Sequence, residues 1–284
     1  MTQPLPDFRD PSPAAMEVSS ALELQPHPEG GAAVSFGGMP LPTAAGAPQA
    51  RSIFLKASLI ALAAFFLAPY LLTALYVFID PPFSALMLRQ TLTGGPAAYE
   101  WRDLDQISPN LIAQVIAAED GRFCKHHGVD WTALDRAADA VVDGKPKGGG
   151  STITMQTAKN LFLWNRPAIL RKPFEIPLAA FMDLALGKSR VIEIYLNIVE
   201  WGPGVYGAEA AAQHHFGKSA ADLTPQEAAQ LAAALPNPKR RNAGNPGPRT
   251  MALAHRLRMK ALRERGDSVC VLDADSECGD DASE

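Results

Sequence analysis

Twenty-three consecutive residues, Ala57 to Ile79 (ASLIALAAFFLAPYLLTALYVFI), carry no charge. Roughly twenty apolar residues cross the hydrocarbon core as a helix, so the run predicts a single transmembrane helix, assigned to residues 53–79. Pro69 near its centre is tolerable, because neighbouring groups in membrane helices re-satisfy the freed backbone. A cleaved signal peptide is one alternative. Its apolar region would be shorter and nearer the N-terminus, and only Asp80-Pro81-Pro82 follows, with no small-residue cleavage site. A buried core helix is the other. Arg51 and Lys56 precede the run and Asp80 follows it, so the positive-inside bias predicts a single-pass inner (cytoplasmic) membrane protein. Its N-terminus would be cytoplasmic, with about two hundred residues on the periplasmic or extracytoplasmic side.

The segments on either side differ in composition. Residues 1–50 hold nine prolines and five glycines, with Arg9 the one basic residue against five acidic ones, and read as a disordered cytoplasmic tail. Counted as Asp and Glu against Lys and Arg, residues 80–266 carry +5 and residues 267–284 carry −7, a second disordered, acidic tail. The basic middle favours an anionic partner such as membrane headgroups or a phosphorylated substrate; an ordinary solvated surface is the bland alternative. Nucleic acid does not suit the outer side of a membrane. Three cysteines, with no CxxC pair, make neither a disulfide scaffold nor a zinc site. In an oxidising compartment Cys270 and Cys278 could pair, Cys124 has no obvious mate, and free thiols are an equal alternative.

Periodicity between the tails is helical. Leu111, Ile112, Val115 and Ile116 recur at helical spacing after Ser108 as N-cap and Pro109 at the first position, with an end expected near Gly121. A second helix is expected from about Ser189 to Glu200, closed by Gly202-Pro203-Gly204. A third opens on the capping box Thr224-Pro225-Gln226-Glu227 and runs to Leu235, and residues 250–265 make a basic amphipathic candidate. Alternating strand patterns are scarce, so the domain is expected to be mainly α.

Three runs carry candidate chemistry. Glu119, followed by Asp120, stands at the end of an apolar helix, where the helix dipole and the neighbouring acid both disfavour ionisation and suit proton transfer. A solvated helix end and, for His126 and His127, ordinary packing are the alternatives. Gly148 to Asn160 joins a glycine hinge to hydroxyls, amides and Lys159 but lacks the ending of a phosphate-binding loop, so it reads as a mobile loop for a polar, phosphorylated or glycosidic ligand, or as a bare linker. Arg171-Lys172-Pro173-Phe174-Glu175 is either a surface salt-bridge pattern or, with Lys159 and Arg166, the positive charge a departing diphosphate needs.

In order along the chain stand EDGRFCKHHGVD (119–130), GGGSTITMQTAKNLFLW (148–164), RKPFE (171–175), GKSRVIEIYLNIVEWG (187–202) and GVYGAEAAAQHHFGK (204–218). This set resembles the five-motif pattern of the peptidoglycan glycosyltransferases over roughly residues 85–260, and the layout resembles the monofunctional biosynthetic members. The resemblance implies a lysozyme-like, mainly α catalytic domain that polymerises lipid II into β-1,4 glycan strands with release of undecaprenyl diphosphate. It implies Glu119 as general base and Glu175 as a second catalytic carboxylate helping the diphosphate depart, directly or through a divalent cation, Mg2+ or Mn2+. No organic cofactor is implied, and no protein metal ligands are identified. By the same match, Ser151, Thr152, Gln156, Lys159, Asn160, Arg171 and Lys172 bind substrate, while Asp120, Phe123, His126 and Gly128 build the first motif. Expected partners are lipid II, the growing strand, membrane lipids and other cell-wall synthesis proteins. A membrane-anchored glycan-cleaving enzyme and an inactive cell-wall scaffold are the alternatives; the surplus of cations over a bare carboxylate pair favours synthesis. The chain departs from the pattern at Met155, where the family usually has Gln, at Cys124, and at Pro173 and Pro177, each of which is expected to interrupt a helix around Glu175 unless Pro173 occupies its first turn.

Overall fold

A computed structural model describes residues 47–144, 149–164, 167–264 and 268–272. Most of the tail 1–50, Gly148, Arg166, and the acidic segment from Asp273 with Cys278 lie outside the described residues. The compact unit begins at Ser52.

Helix α1 (Ala47–Leu75) contains the one stretch among the described residues long and apolar enough to cross a membrane, Ser52–Leu75. Leu59, Ile60, Phe65 and Leu71 stand exposed along it, a surface suited to lipid rather than water. Pro69 lies inside the helix, and the Thr73 hydroxyl donates to the Pro69 carbonyl at 2.7 Å. The helix ends at Leu75, four residues short of Ile79, because Tyr76 turns inward and stacks on Phe162 with ring centroids 6.1 Å apart. Arg190 then gathers the freed backbone: it donates to the carbonyls of Tyr76 and Ile79 and pairs with Asp80 at 2.8 Å. Phe66 stacks on Phe174 and Tyr70 meets Phe181 edge-on, so the lower half of α1 is fastened to the domain by aromatic contacts.

The domain is mainly helical, as expected. Helix α2 (Ala85–Leu92) leads through β1 (Ala98–Tyr99) to α3 (Pro109–Glu119) and α4 (Trp131–Val142). Then come α5 (Ile153–Phe162), α6 (Ala168–Ile198), the strands β2 (Glu200–Gly202) and β3 (Val205–Tyr206), α7 (Ala208–Phe216), α8 (Pro225–Ala234), α9 (Pro248–Arg263) and α10 (Val269–Leu272). Strand β3 pairs in parallel with β1 and antiparallel with β2. The core gathers the buried stripe of α3 (Leu111, Ile112, Val115, Ile116), Ile153 and Met155 of α5, Val191, Ile192 and Tyr195 of α6, and Trp201. Met155 is fully buried, so the residue that departs from the family pattern fills core volume instead of facing a ligand. Thr224 and Glu227 close the capping box at the start of α8. Ser108 holds the N-cap position of α3, but its hydroxyl donates to Leu223 at 3.0 Å and does not cap the helix.

Two expectations need correction. Pro173 and Pro177 do not interrupt a helix: both lie inside α6, which begins at Ala168. Each proline removes one backbone donor, yet both lie at exposed positions outside the buried stripe of α6, Pro177 lining a groove with Phe66 and Tyr70 of α1. The real break is at Gly187, whose φ of +70° bends α6; a Cβ there would meet nothing within 4 Å. Cys270 pairs with Cys124, not with Cys278. This bond closes a separation of 146 residues and fastens α10, with Val271 buried, to the short helical turn Phe123–Lys125 just past Glu119. Cross-linking residues so far apart restricts the unfolded chain, typically worth about 2–4 kcal/mol. Adding reductant, or replacing Cys124 by Ala, is therefore expected to lower the thermal unfolding midpoint by several degrees, and alkylation without reductant should label neither Cys124 nor Cys270.

Candidate active site

The last turn of α3 delivers two neighbouring carboxylates to different places. Asp120 leaves the helix with φ −156° and turns inward, 8% exposed. Its two oxygens each lie 3.0 Å from Nε2 of the buried His126, and Oδ2 also accepts from the Ile153 amide at 3.0 Å. Nδ1 of His126 is buried without a partner, so Nε2 carries the ring proton toward Asp120. Ile153 is the first residue of α5, where exposed amides and the dipole favour an anion. One buried carboxylate thus joins the end of α3, the first motif and the start of α5.

The rest of the first motif supports that joint. Phe123 is fully buried, with the Lys188 ammonium 4.7 Å from its ring centre. Lys188 also pairs with Asp183 at 2.7 Å and donates to the His126 carbonyl; the bend at Gly187 precedes it. Gly128 sits at φ +75°, and a Cβ there would come within 2.4 Å of the Ala179 carbonyl, so α6 can approach only over a glycine. His127, by contrast, is fully exposed.

Glu119 faces the other way and lines an open cleft of ≈ 390 Å³ that reaches across Gly149 and Gly150 to Ser151 and Thr152. Burial raises its carboxyl above the usual carboxylate range, with Asp120 adding to the rise; the Gln156 hydrogen bond and the charges of Lys159 and Arg241 oppose it. Gln156 Nε2 donates to Glu119 Oε2 at 3.0 Å, and Gln156 Oε1 in turn accepts from the Tyr195 hydroxyl at 3.3 Å.

The second carboxylate has the opposite surroundings. Glu175 is 1% exposed, held by Arg171 Nε at 2.5 Å and Lys172 Nζ at 2.7 Å. Lys172 Nζ also donates to the Ser151 hydroxyl at 2.9 Å, which links this cluster to the cleft wall of Glu119. Lys159 lies in the field of both carboxylates; burial lowers its ammonium, and the like charges of Arg171 and Lys172 lower it further. Among the described residues its ammonium has no hydrogen bond or ion pair of its own.

The residues singled out in the sequence therefore meet in one region but differ in what they have free. Glu119 and Ser151 line the cleft half-buried, Lys172 is half-buried behind Ser151, Lys159 is half-buried, and Arg171, Thr152 and Asn160 are buried. Thr152 caps α5 by accepting from the Met155 amide and donates to the Gly128 carbonyl, so its hydroxyl serves the scaffold. Gln156 is likewise engaged, with Glu119. Tyr195 falls within the helix expected from Ser189 to Glu200, and no local signal marks its hydroxyl. Three or more His, Cys, Asp or Glu side chains converge as metal ligands nowhere among the described residues, and both oxygens of Glu175 already hold cations, so these groups do not fit a protein-held divalent ion.

Removing Asp120 would leave the Ile153 amide and both His126 ring nitrogens without partners. Asp120→Ala is expected to destabilise the domain by roughly 3 kcal/mol in chemical denaturation, more than the neighbouring Glu119→Ala.

Comparison with known proteins places this geometry. A family model described as transglycosylase matches residues 87–263. A protein of Nitrobacter winogradskyi is 50% identical over 203 residues, covering 70% of this chain and 89% of its own length. One of Rhodopseudomonas palustris (strain TIE-1) is 49% identical over 224 residues (78% and 94%), and one of Agrobacterium fabrum 47% identical over 220 residues (77% and 97%). All three are named biosynthetic peptidoglycan transglycosylase.

Proposed function

The chain belongs to the transglycosylase family of peptidoglycan-synthesising enzymes, with a lysozyme-like helical domain, and from that premise we propose that it polymerises lipid II, using Glu119 as the general base. In this reading the 4-hydroxyl of the acceptor sugar enters the cleft and gives its proton to the Glu119 carboxylate. The resulting oxygen attacks the anomeric carbon of the growing strand, the bond from that carbon to the diphosphate breaks, and undecaprenyl diphosphate leaves with the electron pair. Such a leaving group departs as an anion and needs cations more than a proton donor.

The observation that carries the proposal is the contrast between the two carboxylates. Glu119 faces an open cleft with a single neutral donor on it and a raised proton affinity, which suits a base that must accept a proton and release it again. Glu175 is buried between two cations, with one of them on each of its oxygens. Its role in this reading is to hold Arg171 and Lys172 in place, so that they and Lys159 neutralise the diphosphate. Ser151 keeps Lys172 turned toward the cleft. No step is routed through a metal ion.

The membrane arrangement fits a lipid-linked substrate. Arg51 and Lys56 before the apolar stretch and Asp80 after it favour a cytoplasmic N-terminus and a domain outside the inner membrane. Phe83, Leu88 and Leu92 stand exposed just past α1, an apolar flank suited to the bilayer surface.

Glu119→Gln keeps the hydrogen-bonding shape and removes the base. Lipid II polymerisation by the purified protein is expected to fall about 10²–10⁴-fold with thermal unfolding unchanged. Lys159→Gln removes a cation that makes no ion pair among the described residues, so it should lower kcat/KM about 10–100-fold at little cost in stability. Wild-type turnover in Glu119→Gln would remove Glu119 from the mechanism, and release of soluble fragments from finished strands would point to glycan cleavage instead.

A further inference from the structure

We propose that Tyr195 is a positioning residue for the base: its buried hydroxyl fixes which end of the Gln156 amide faces Glu119. The inference rests on the reading of Glu119 as base and deepens it. Tyr195 lies on the second half of α6, fully buried, and donates to Gln156 Oε1 at 3.3 Å, while Gln156 Nε2 donates to Glu119 Oε2 at 3.0 Å. Three groups on three helices thus form one directed chain of hydrogen bonds ending on the carboxylate.

The direction matters because a primary amide has two unlike ends. Turned over, Gln156 would set its carbonyl oxygen against a carboxylate oxygen, two acceptors facing each other in a partly desolvated site. The acceptor-only carboxylate disfavours that orientation, and the tyrosine adds to it by giving the amide oxygen a donor at the other end. Burial first, then the negative charges of Glu119 and Asp120, hold its hydroxyl protonated well beyond the usual range, so its proton always needs an acceptor. Gln156 Oε1 is the acceptor it has among the described residues. With Oε2 occupied by the amide, Oε1 of Glu119 carries no hydrogen bond within the described residues, and it is the oxygen left to take a proton in the cleft.

Other groups also act on Glu119. Asp120 from α3 raises its proton affinity, while Lys159 from α5 and Arg241 from the segment between α8 and α9 lower it; Lys260 and Glu264 line the same cleft from the end of α9. None of these is in the Tyr195–Gln156 chain, so their effect should persist when the chain is cut. Losing the phenol should leave the amide loosely held, weaken its donation to the carboxylate and raise the pH at which Glu119 becomes an active base.

The test is the pH dependence of kcat/KM for lipid II polymerisation by the full-length protein, in wild type, Tyr195→Phe, Gln156→Leu and the double variant. Tyr195→Phe is expected to move the acid limb upward by about half to one pH unit, with much of the rate recovered on the alkaline side of that limb. Gln156→Leu should move it the same way by at least as much, and the double variant no further than Gln156→Leu alone, since both changes cut one chain. An unmoved acid limb in Tyr195→Phe with a uniformly lower rate, additive shifts in the double variant, or a Tyr195→Phe protein that no longer folds would each make Tyr195 a packing residue and overturn the proposal. Glu119→Gln measured alongside separates the two possible failures. Activity retained there sinks the base itself, whereas activity lost there with an unmoved limb in Tyr195→Phe sinks only the positioning role.

Discussion

The site depends on one buried carboxylate that does no chemistry. Asp120 joins the end of α3 to His126 and to the first amide of α5, and each of those contacts fixes something else. His126 holds the loop that ends in Gly128, whose carbonyl takes the Thr152 hydroxyl, which caps α5. The α5 frame then puts Gln156 against Glu119. Because Asp120 ends its helix in an extended conformation, adjacent acids diverge: one becomes a structural anion at a helix N-terminus, the other faces a cleft. The adjacency of Glu119 and Asp120 is what lets a short motif define both the anchor and the carboxylate proposed as the base.

The same logic separates the two glutamates. A desolvated carboxylate with one neutral donor gains proton affinity, as Glu119 does, whereas Glu175 is engaged by a guanidinium on one oxygen and an ammonium on the other. Glu175 therefore makes physical sense as part of the cation cluster, since Arg171 and Lys172 could not otherwise sit side by side within one helical turn beside Lys159. The pair contributes its charges to one cleft while the glutamate keeps them in register. Lys159 lies in the field of Glu119 and Glu175 but makes no ion pair or hydrogen bond of its own among the described residues.

Much of this was legible in the sequence, and what was missed shares one cause. The apolar run, the start of α3 at Pro109, the capping box of α8 and the basic α9 are local patterns, and each appears near where its residues predict. The mainly helical fold follows from the same periodicity. The misses depend on contacts between distant residues. Cys124 finds Cys270 across 146 positions, and nothing local distinguishes that partner from Cys278. The apolar helix α1 stops at Leu75 because Tyr76 and Arg190, far apart in the chain, meet there. Pro173 and Pro177 suggested a break because proline rules assume every backbone donor is needed, but α6 continues through both at exposed positions outside its buried stripe. The phenol of Tyr195 looked like core because most of it is core; only the position of Gln156 gives its hydroxyl a role.

Helix α6 is where these distant contacts accumulate. Its first half carries Arg171, Lys172 and Glu175; past the bend at Gly187 come Lys188, bonded to the His126 carbonyl, Arg190, holding the end of α1, and Tyr195, bonded to Gln156. A straight helix through residues 168–198 would carry the second set off line from the first. The glycine permits the bend at a position where a side chain would meet no atom, so what selects glycine there is the positive φ and not crowding. One bent helix thereby sets the cations, the amide chain to Glu119 and the attachment of α1 relative to one another. That explains why two prolines are tolerated at its exposed positions: the register that matters is kept by side-chain contacts on its inner face, where Leu178, Ala179, Met182, Val191 and Ile192 are buried.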